Sequence, residues 1–167
     1  MDAFYVDEGC TVLDVGCGPG AFLESASERV GSAGKVIGID IQEPFIRMAL
    51  HLVSEKGLAN VTLMTSREDG IPLEGQCVDI ALLVTTMHEL EGRDTLDEIN
   101  RVMKKGGVIG VIEWEKQKTP IGPPVSERMG QDEAEELLGR CGFDIEKVFS
   151  IGRYHYGISA RKSKMAD

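Results

Sequence analysis

Nine consecutive residues constrain this chain more than any others: Val12-Leu13-Asp14-Val15-Gly16-Cys17-Gly18-Pro19-Gly20. Thr11 to Val15 is a short run rich in β-branched and apolar residues, which reads as a buried strand. Three glycines in alternation end it, and the segment from Ala21 to Val30 places Phe22, Leu23, Ala26 and Val30 at helical spacing. Strand, glycine turn and helix in that order open a βαβ unit. Gly16, Gly18 and Gly20 let the backbone turn tightly and let a ligand approach where a Cβ would collide. The helix that follows presents free N–H groups suited to a carboxylate or phosphate.

The same alternation continues along the chain. Lys35 to Asp40 reads as a second strand, and Glu43-Pro44 opens a helix with Phe45, Ile46, Ala49, Leu50 and Val53 as its expected buried stripe and Gly57 at its end. Val61 to Thr65 is a third strand. Val78 to Thr85, the most apolar segment, is expected at the centre of the sheet. Leu96, Ile99, Val102 and Met103 mark a helix closed by Lys104-Lys105-Gly106-Gly107, and Val108 to Trp114 follows as a strand. After a proline-rich loop comes a last helix (Ala134, Leu137, Leu138, Cys141). Phe143 to Ile151 and Tyr154 to Ala160 are two strands joined by Gly152-Arg153, short enough for an antiparallel hairpin. The pattern predicts an α/β fold: a Rossmann-like three-layer α/β/α sandwich on a seven-stranded, mostly parallel sheet with an antiparallel C-terminal hairpin. Residues 1–167 are expected to form a single domain. In such sheets ligands bind beyond the carboxyl ends of the strands.

Composition removes several function classes. The longest strictly apolar run, Ile80 to Val84, is far short of the roughly 18 residues a membrane span needs. The first residues, Met1 to Glu8, lack the basic and apolar regions of a secretory signal. A net charge of −10 argues against a nucleic-acid partner, whose phosphates call for a basic face. Cys10, Cys17, Cys77 and Cys141 include no C-x-x-C pair, so no metal site is expected, and reduced thiols in the cytoplasm are the simplest reading.

Two acids sharpen the glycine motif. Asp40 ends the second strand, where a carboxylate can accept hydrogen bonds from two ribose hydroxyls. Gly16-x-Gly18-x-x-Ala21 also satisfies a loose dinucleotide fingerprint. Asp14, however, lies inside the strand two residues before the first glycine, where it would repel a pyrophosphate and suit a ligand with a cationic amino group.

With these features the sequence resembles the class I S-adenosylmethionine-dependent methyltransferases, from about Glu8 to Ile158. The resemblance rests on Val12 to Gly20, Ile39-Asp40, Ser66 to Leu73, Val78-Asp79, Met87-His88-Glu89-Leu90, Arg101 to Gly107 and Cys141-Gly142-Phe143, in that order. It is nearest to small-molecule enzymes of the ubiquinone/menaquinone-biosynthesis type. It implies S-adenosyl-L-methionine as cofactor, with Asp14, Gly16, Cys17, Gly18 and Gly20 around the methionine part, Asp40 on the ribose, and Ile41, Arg67 and Glu68 near the adenine. The family often has an Asp where Ser66 or Arg67 falls here.

Methyl transfer from a sulfonium needs mainly positioning, and a base only if the acceptor must lose a proton. His88, after the fourth strand, and Glu113, at the end of the fifth, are the candidate catalytic residues, with Tyr154, His155 and Tyr156 nearby. A small-molecule acceptor is expected. Only ten residues precede the first strand, so lid helices are expected to be missing, with Phe4, Tyr5 and Val6 alone to cover the cleft. That cleft should be open, or completed by a second copy of the chain or a partner subunit. Two other readings stay open: a methyltransferase-like binding module without activity that needs a partner, and an NAD-dependent oxidoreductase.

Overall fold

The computed structural model describes residues 2–67 and 69–164. Its strands are β1 (Thr11–Val15), β2 (Lys35–Asp40), β3 (Val61–Thr65), β4 (Val78–Val84), β5 (Met103–Trp114), β6 (Phe143–Ile151) and β7 (His155–Lys162). Its helices are α1 (Leu23–Val30), α2 (Glu43–Lys56), α3 (Asp94–Val102) and α4 (Gln131–Arg140). The strands form one sheet in the order β3-β2-β1-β4-β5-β7-β6. β1 to β5 pair in parallel, and β7 runs antiparallel to both β5 and β6. β4 holds the central position expected of the most apolar segment.

Helices cover both faces because each carries one apolar stripe. On one face Leu23, Ala26 and Val30 of α1 and Ile46 and Ala49 of α2 pack over Val12, Val36, Ile80 and Leu82. On the other, Leu96, Ile99 and Val102 of α3 and Ala134 and Leu138 of α4 pack over Leu13, Ala81, Ile109 and Val111. The strand order reverses between β1 and β4. At that point the crossovers diverge and leave a crevice at the carboxyl ends.

Several boundaries differ from the sequence reading. α1 starts at Leu23 rather than Ala21, since the glycine loop runs on as turns through Phe22. Leu50 is half exposed rather than buried. α2 lies over the sheet edge at β2 and β3, so a narrower stripe meets the core. β5 begins at Met103 because a bulge lets Met103 pair with Val78 before the ladder resumes at Ile80 and Val108. β7 starts at His155, leaving Tyr154 in the turn, and runs to Lys162, which pairs with Phe143.

Phe4 and Val6 do not cover the site. Both are buried in the core on the α1 and α2 face. Phe4 fills the space above Gly110, where a Cβ would stand 2.6 Å from its ring, and meets Phe149 at 5.7 Å between ring centroids. Only Tyr5, 51% exposed, projects from this segment.

Candidate active site

A cavity of about 420 Å³ opens at the crevice between β1 and β4. Asp14, Gly16, Cys17, Gly18, Asp40, Ile41 and Arg67, all named as candidates in the sequence, line it. Glu68 lies outside the described residues.

The glycine loop is held by its neighbours. The Cys17 N–H donates to Ile39 O (3.0 Å), and the Gly18 N–H donates to Asp40 Oδ2 (2.9 Å). The other Asp40 oxygen accepts from the Gln42 N–H at 2.8 Å. Asp40 therefore clamps the loop from the end of β2. Each carboxylate oxygen keeps a lone pair for a further donor.

The glycines play different parts. Gly16 has φ +67°, and a Cβ there would stand 2.5 Å from Thr86 Cγ2, so this glycine is needed for packing against the end of β4. Gly18 has φ +52° and nothing within 4 Å of its Cβ position, so it borders open space where a ligand can approach the backbone. Gly20 differs from expectation: it is not in the cavity wall. Its Cβ would meet Leu23, Leu52 and Ala49, which makes it a close-packing position between α1 and α2.

Asp14 is 3% exposed, and no described residue hydrogen-bonds its carboxylate. Burial, reinforced by the charge of Asp40, pushes it up to about 7. A buried carboxylate without a partner is costly unless a cation meets it. Burial and the charges of Asp14 and Asp40 push the Cys17 thiol up to about 12, which keeps it protonated and rules it out as a nucleophile.

At the β2 and β3 end, Ile41 offers a 54% exposed apolar side chain beside Phe45. The Arg67 guanidinium is turned outward and paired with Asp69 at 2.9 and 3.1 Å.

His88 and Glu113 come together, though not as two groups facing the cavity. His88 Nδ1 lies 2.9 and 3.0 Å from the two Glu113 oxygens. Those oxygens also accept from the backbone N–H of His88 (3.2 Å) and of Trp114 (3.1 Å). Glu113 is fully buried, so it faces neither acceptor nor water, because its carboxylate is used up in holding His88. His88 sits next to the cavity, with Nε2 4.0 Å from Oε1 of Glu89, which lines it. In the last hairpin, Tyr156 is buried and donates to Met129 O (3.0 Å), and its phenol is raised above the ordinary range, chiefly by burial. His155 packs against Trp114, with ring centroids 4.1 Å apart and planes tilted by 43°. Neither reaches the cavity.

The wall also includes Thr86 and Thr85, the latter noted in the sequence only as the end of the fourth strand. Thr85 has φ +52°, a conformation that β-branched residues rarely adopt. No feature of the local sequence signals it.

This sheet order, with a glycine loop after β1 and a carboxylate ending β2, defines a Rossmann-like nucleotide-cofactor fold. The chain belongs to the methyltransferase-domain family, whose model matches residues 6–147. It is 32% identical over 114 residues to a demethylmenaquinone methyltransferase of Lactococcus lactis subsp. lactis (strain IL1403), covering 68% of this chain and 45% of that protein. A 55-residue stretch is 51% identical to nocamycin O-methyltransferase of Saccharothrix syringae, covering 33% of this chain and 20% of that protein. The chain spans about half or less of the length of these curated relatives. A solved SAM-dependent methyltransferase from Aquifex aeolicus superposes with a TM-score of 0.94 at 37% identity, over 96% of this chain and 86% of that one.

The cofactor that this membership implies is S-adenosylmethionine. The cavity fits it on its own chemistry. Asp14 is an unpartnered carboxylate suited to the α-ammonium. The open backbone at Gly18 allows close approach, Asp40 has lone pairs left for ribose hydroxyls, and Ile41 and Phe45 give an apolar place for the adenine.

Proposed function

We propose that this chain transfers a methyl group from S-adenosylmethionine to a small-molecule acceptor. The observation that carries this reading is the buried, unpartnered Asp14 carboxylate beside the Gly16–Gly18 loop. It matches a cationic amino-acid end and opposes a pyrophosphate. When bound, the cofactor supplies a methyl carbon activated by a sulfonium.

The chain's own residues then bind and orient. Asp14 holds the ammonium, Asp40 the ribose, and Ile41 with Arg67 and its neighbours borders the adenine. Glu113 fixes the Nδ1–H tautomer of His88, which leaves the Nε2 lone pair to take a proton from the acceptor. Glu113 is thus a positioning residue, and His88 is the base. An acceptor with a removable proton near the ends of β4 and β5 fits this arrangement.

Residues 1–167 act as one methyltransferase domain in this reading. A small acceptor that is not anionic is favoured by the net charge of −10 and by the acidic Glu89 at the cavity wall. Phe4 and Val6 are used in the core and leave the cavity uncovered; a second copy of the chain or a partner subunit is proposed to complete the acceptor side. The four free cysteines support a reducing compartment such as the cytoplasm. Among the described residues, no helix is long and apolar enough to cross a membrane.

Calorimetry with S-adenosylhomocysteine tests the cofactor, and a mass-spectrometric methyl-transfer screen of cell extract tests the acceptor. Binding of S-adenosylhomocysteine and a mass gain of one methyl group on a small molecule are expected. Tight binding of NADH with none of S-adenosylhomocysteine would overturn the reading. Cofactor binding without turnover over a broad panel, with a co-purifying partner, would replace it by a partner-dependent binding module.

A further inference from the structure

We infer that the methyl acceptor is an amine taken up as its ammonium form, held by Glu89 and deprotonated by His88. This rests on the methyl-transfer reading and goes beyond it by naming the chemical class of the acceptor.

Two uncommitted groups make the first argument. Glu113 occupies Nδ1 of His88, and no described residue hydrogen-bonds Nε2. The His88 side chain is only 8% exposed, so Nε2 is an unpartnered polar atom on an enclosed ring. No described residue hydrogen-bonds the Glu89 carboxylate either, and Glu89 lines the cavity. A short 3₁₀ turn, Met87–Glu89, holds the two side by side. Met87 is fully buried, the Glu89 N–H donates to Thr86 O at 3.0 Å, and the Leu90 N–H donates to Met87 O at 3.3 Å.

Distance makes the second. His88 Nε2 and Glu89 Oε1 stand 4.0 Å apart, too far for a hydrogen bond between them. A single donor atom can nonetheless lie about 2.9 Å from each. A hydroxyl brings one hydrogen and can serve only one of them. A primary or secondary ammonium brings two or three, so it can meet the base and the carboxylate together.

Charge makes the third. The cavity wall carries Asp14, Asp40 and Glu89, and among its described residues Arg67 is the one cation. Arg67 is paired with Asp69 at 2.9 Å. The cofactor's amino group answers Asp14 and its ribose answers Asp40, which leaves Glu89 as the acid without a counter-charge. The net charge of −10 also favours the approach of a cation.

The step balances. The ammonium gives one proton to Nε2 and becomes a neutral amine with a lone pair. Rotation about its C–N bond turns that lone pair to the methyl carbon. The new N–C bond forms as the C–S bond breaks, and sulfur keeps the bonding pair. The products are S-adenosylhomocysteine and an N-methylated ammonium that still donates to Glu89, and His88 releases its proton to water.

The test incubates the chain with cell extract and S-adenosylmethionine carrying a trideuterated methyl group, and locates the label by fragmentation in the mass spectrometer. The label is expected on an amino nitrogen. Label on oxygen or carbon would overturn this inference and leave the methyl-transfer reading standing. No labelled small molecule, with S-adenosylhomocysteine bound in calorimetry, would overturn both. Glu89→Gln removes the charge from an exposed side chain. It is expected to raise KM for the labelled amine about tenfold or more, the scale of a hydrogen bond to a charged group, with a smaller change in kcat and unchanged S-adenosylhomocysteine affinity. A KM equal to that of the wild type would take Glu89 out of acceptor binding and overturn the inference.

Discussion

His88 presents Nδ1 to both oxygens of Glu113, at 2.9 and 3.0 Å, from the turn after β4 to the end of β5. The pairing sets the tautomer without bringing Glu113 to the surface. Replacing His88 by Ala should lower methyl transfer about 10²- to 10⁴-fold, the range of general acid–base catalysis, with S-adenosylhomocysteine affinity nearly intact. Glu113→Gln should also lower turnover and move its pH profile, because an amide cannot stabilise an imidazolium as a carboxylate does. Unchanged turnover in His88→Ala, measured by mass spectrometry, would leave the pair a structural one.

Gly16 and Gly18 look equivalent in sequence and should not behave alike. Gly16→Ala drives a Cβ into Thr86 at 2.5 Å, so it should lower the unfolding free energy by about 1–3 kcal/mol or more through overpacking and backbone strain. Gly18→Ala meets no protein atom within 4 Å. Its stability cost should be the left-handed conformation alone, on the order of 1 kcal/mol, while cofactor affinity falls more steeply. Urea titration and calorimetry on the two variants separate these effects. Equal stability losses with equal affinities would contradict the division of roles.

The strands were legible because their signals are local. Thr11–Val15, Lys35–Asp40, Val61–Thr65 and Phe143–Ile151 begin and end where β-branched runs meet glycine or turn residues. Asp14 and Asp40 were legible as cavity residues because their positions follow from strand ends and the glycine count. What escaped depends on contacts between distant segments. Leu50 belongs to a helical stripe by spacing, but only the narrower part of α2 over the sheet edge is covered. Gly20 falls in the glycine rhythm, yet its neighbours are Leu23, Leu52 and Ala49 rather than the cavity. Phe4 reads as a free N-terminal aromatic until Gly110, far along the chain, leaves it a space. The left-handed Thr85 has no sequence signature, since the residue is one that ordinarily avoids that conformation.

Arg128 was equally hidden, and it organises the loop after β5. It is 3% exposed, and its donors reach Pro123 O, Glu115 O, Gln117 O, Ile121 O and the Thr119 hydroxyl. Its guanidinium also lies over the Trp114 ring at 5.0 Å. Lys has three donors on a point charge and cannot match this fork. Arg128→Met should destabilise the chain by about 2–4 kcal/mol and Arg128→Lys by somewhat less, through carbonyls left without partners. Limited tryptic digestion should show faster cleavage at Lys116 and Lys118 in both variants. A cleavage rate equal to that of the wild type would mean that the loop holds its shape without the arginine.

Asp14 makes cofactor binding depend on pH. With the carboxyl at about 7 in the unliganded chain, roughly half of the molecules carry its proton at neutrality. A cationic amino group binds the ionised form, so binding near neutral pH should release a proton. Affinity for S-adenosylhomocysteine should level off above about pH 7 and fall roughly tenfold per unit below it. Stability of the unliganded chain should move the other way. The folded state holds a proton that the unfolded chain gives up near pH 3.9, so this contribution is complete below about 3.9 and is lost as pH rises through about 7. Asp14→Asn, neutral at every pH, should therefore melt higher than wild type at about pH 8 without ligand, and bind S-adenosylhomocysteine weakly with little pH dependence. Calorimetry in buffers of different ionisation enthalpy reads the released proton directly. A wild-type affinity that stays flat between about pH 6 and 8 would show that Asp14 is already ionised before the ligand arrives.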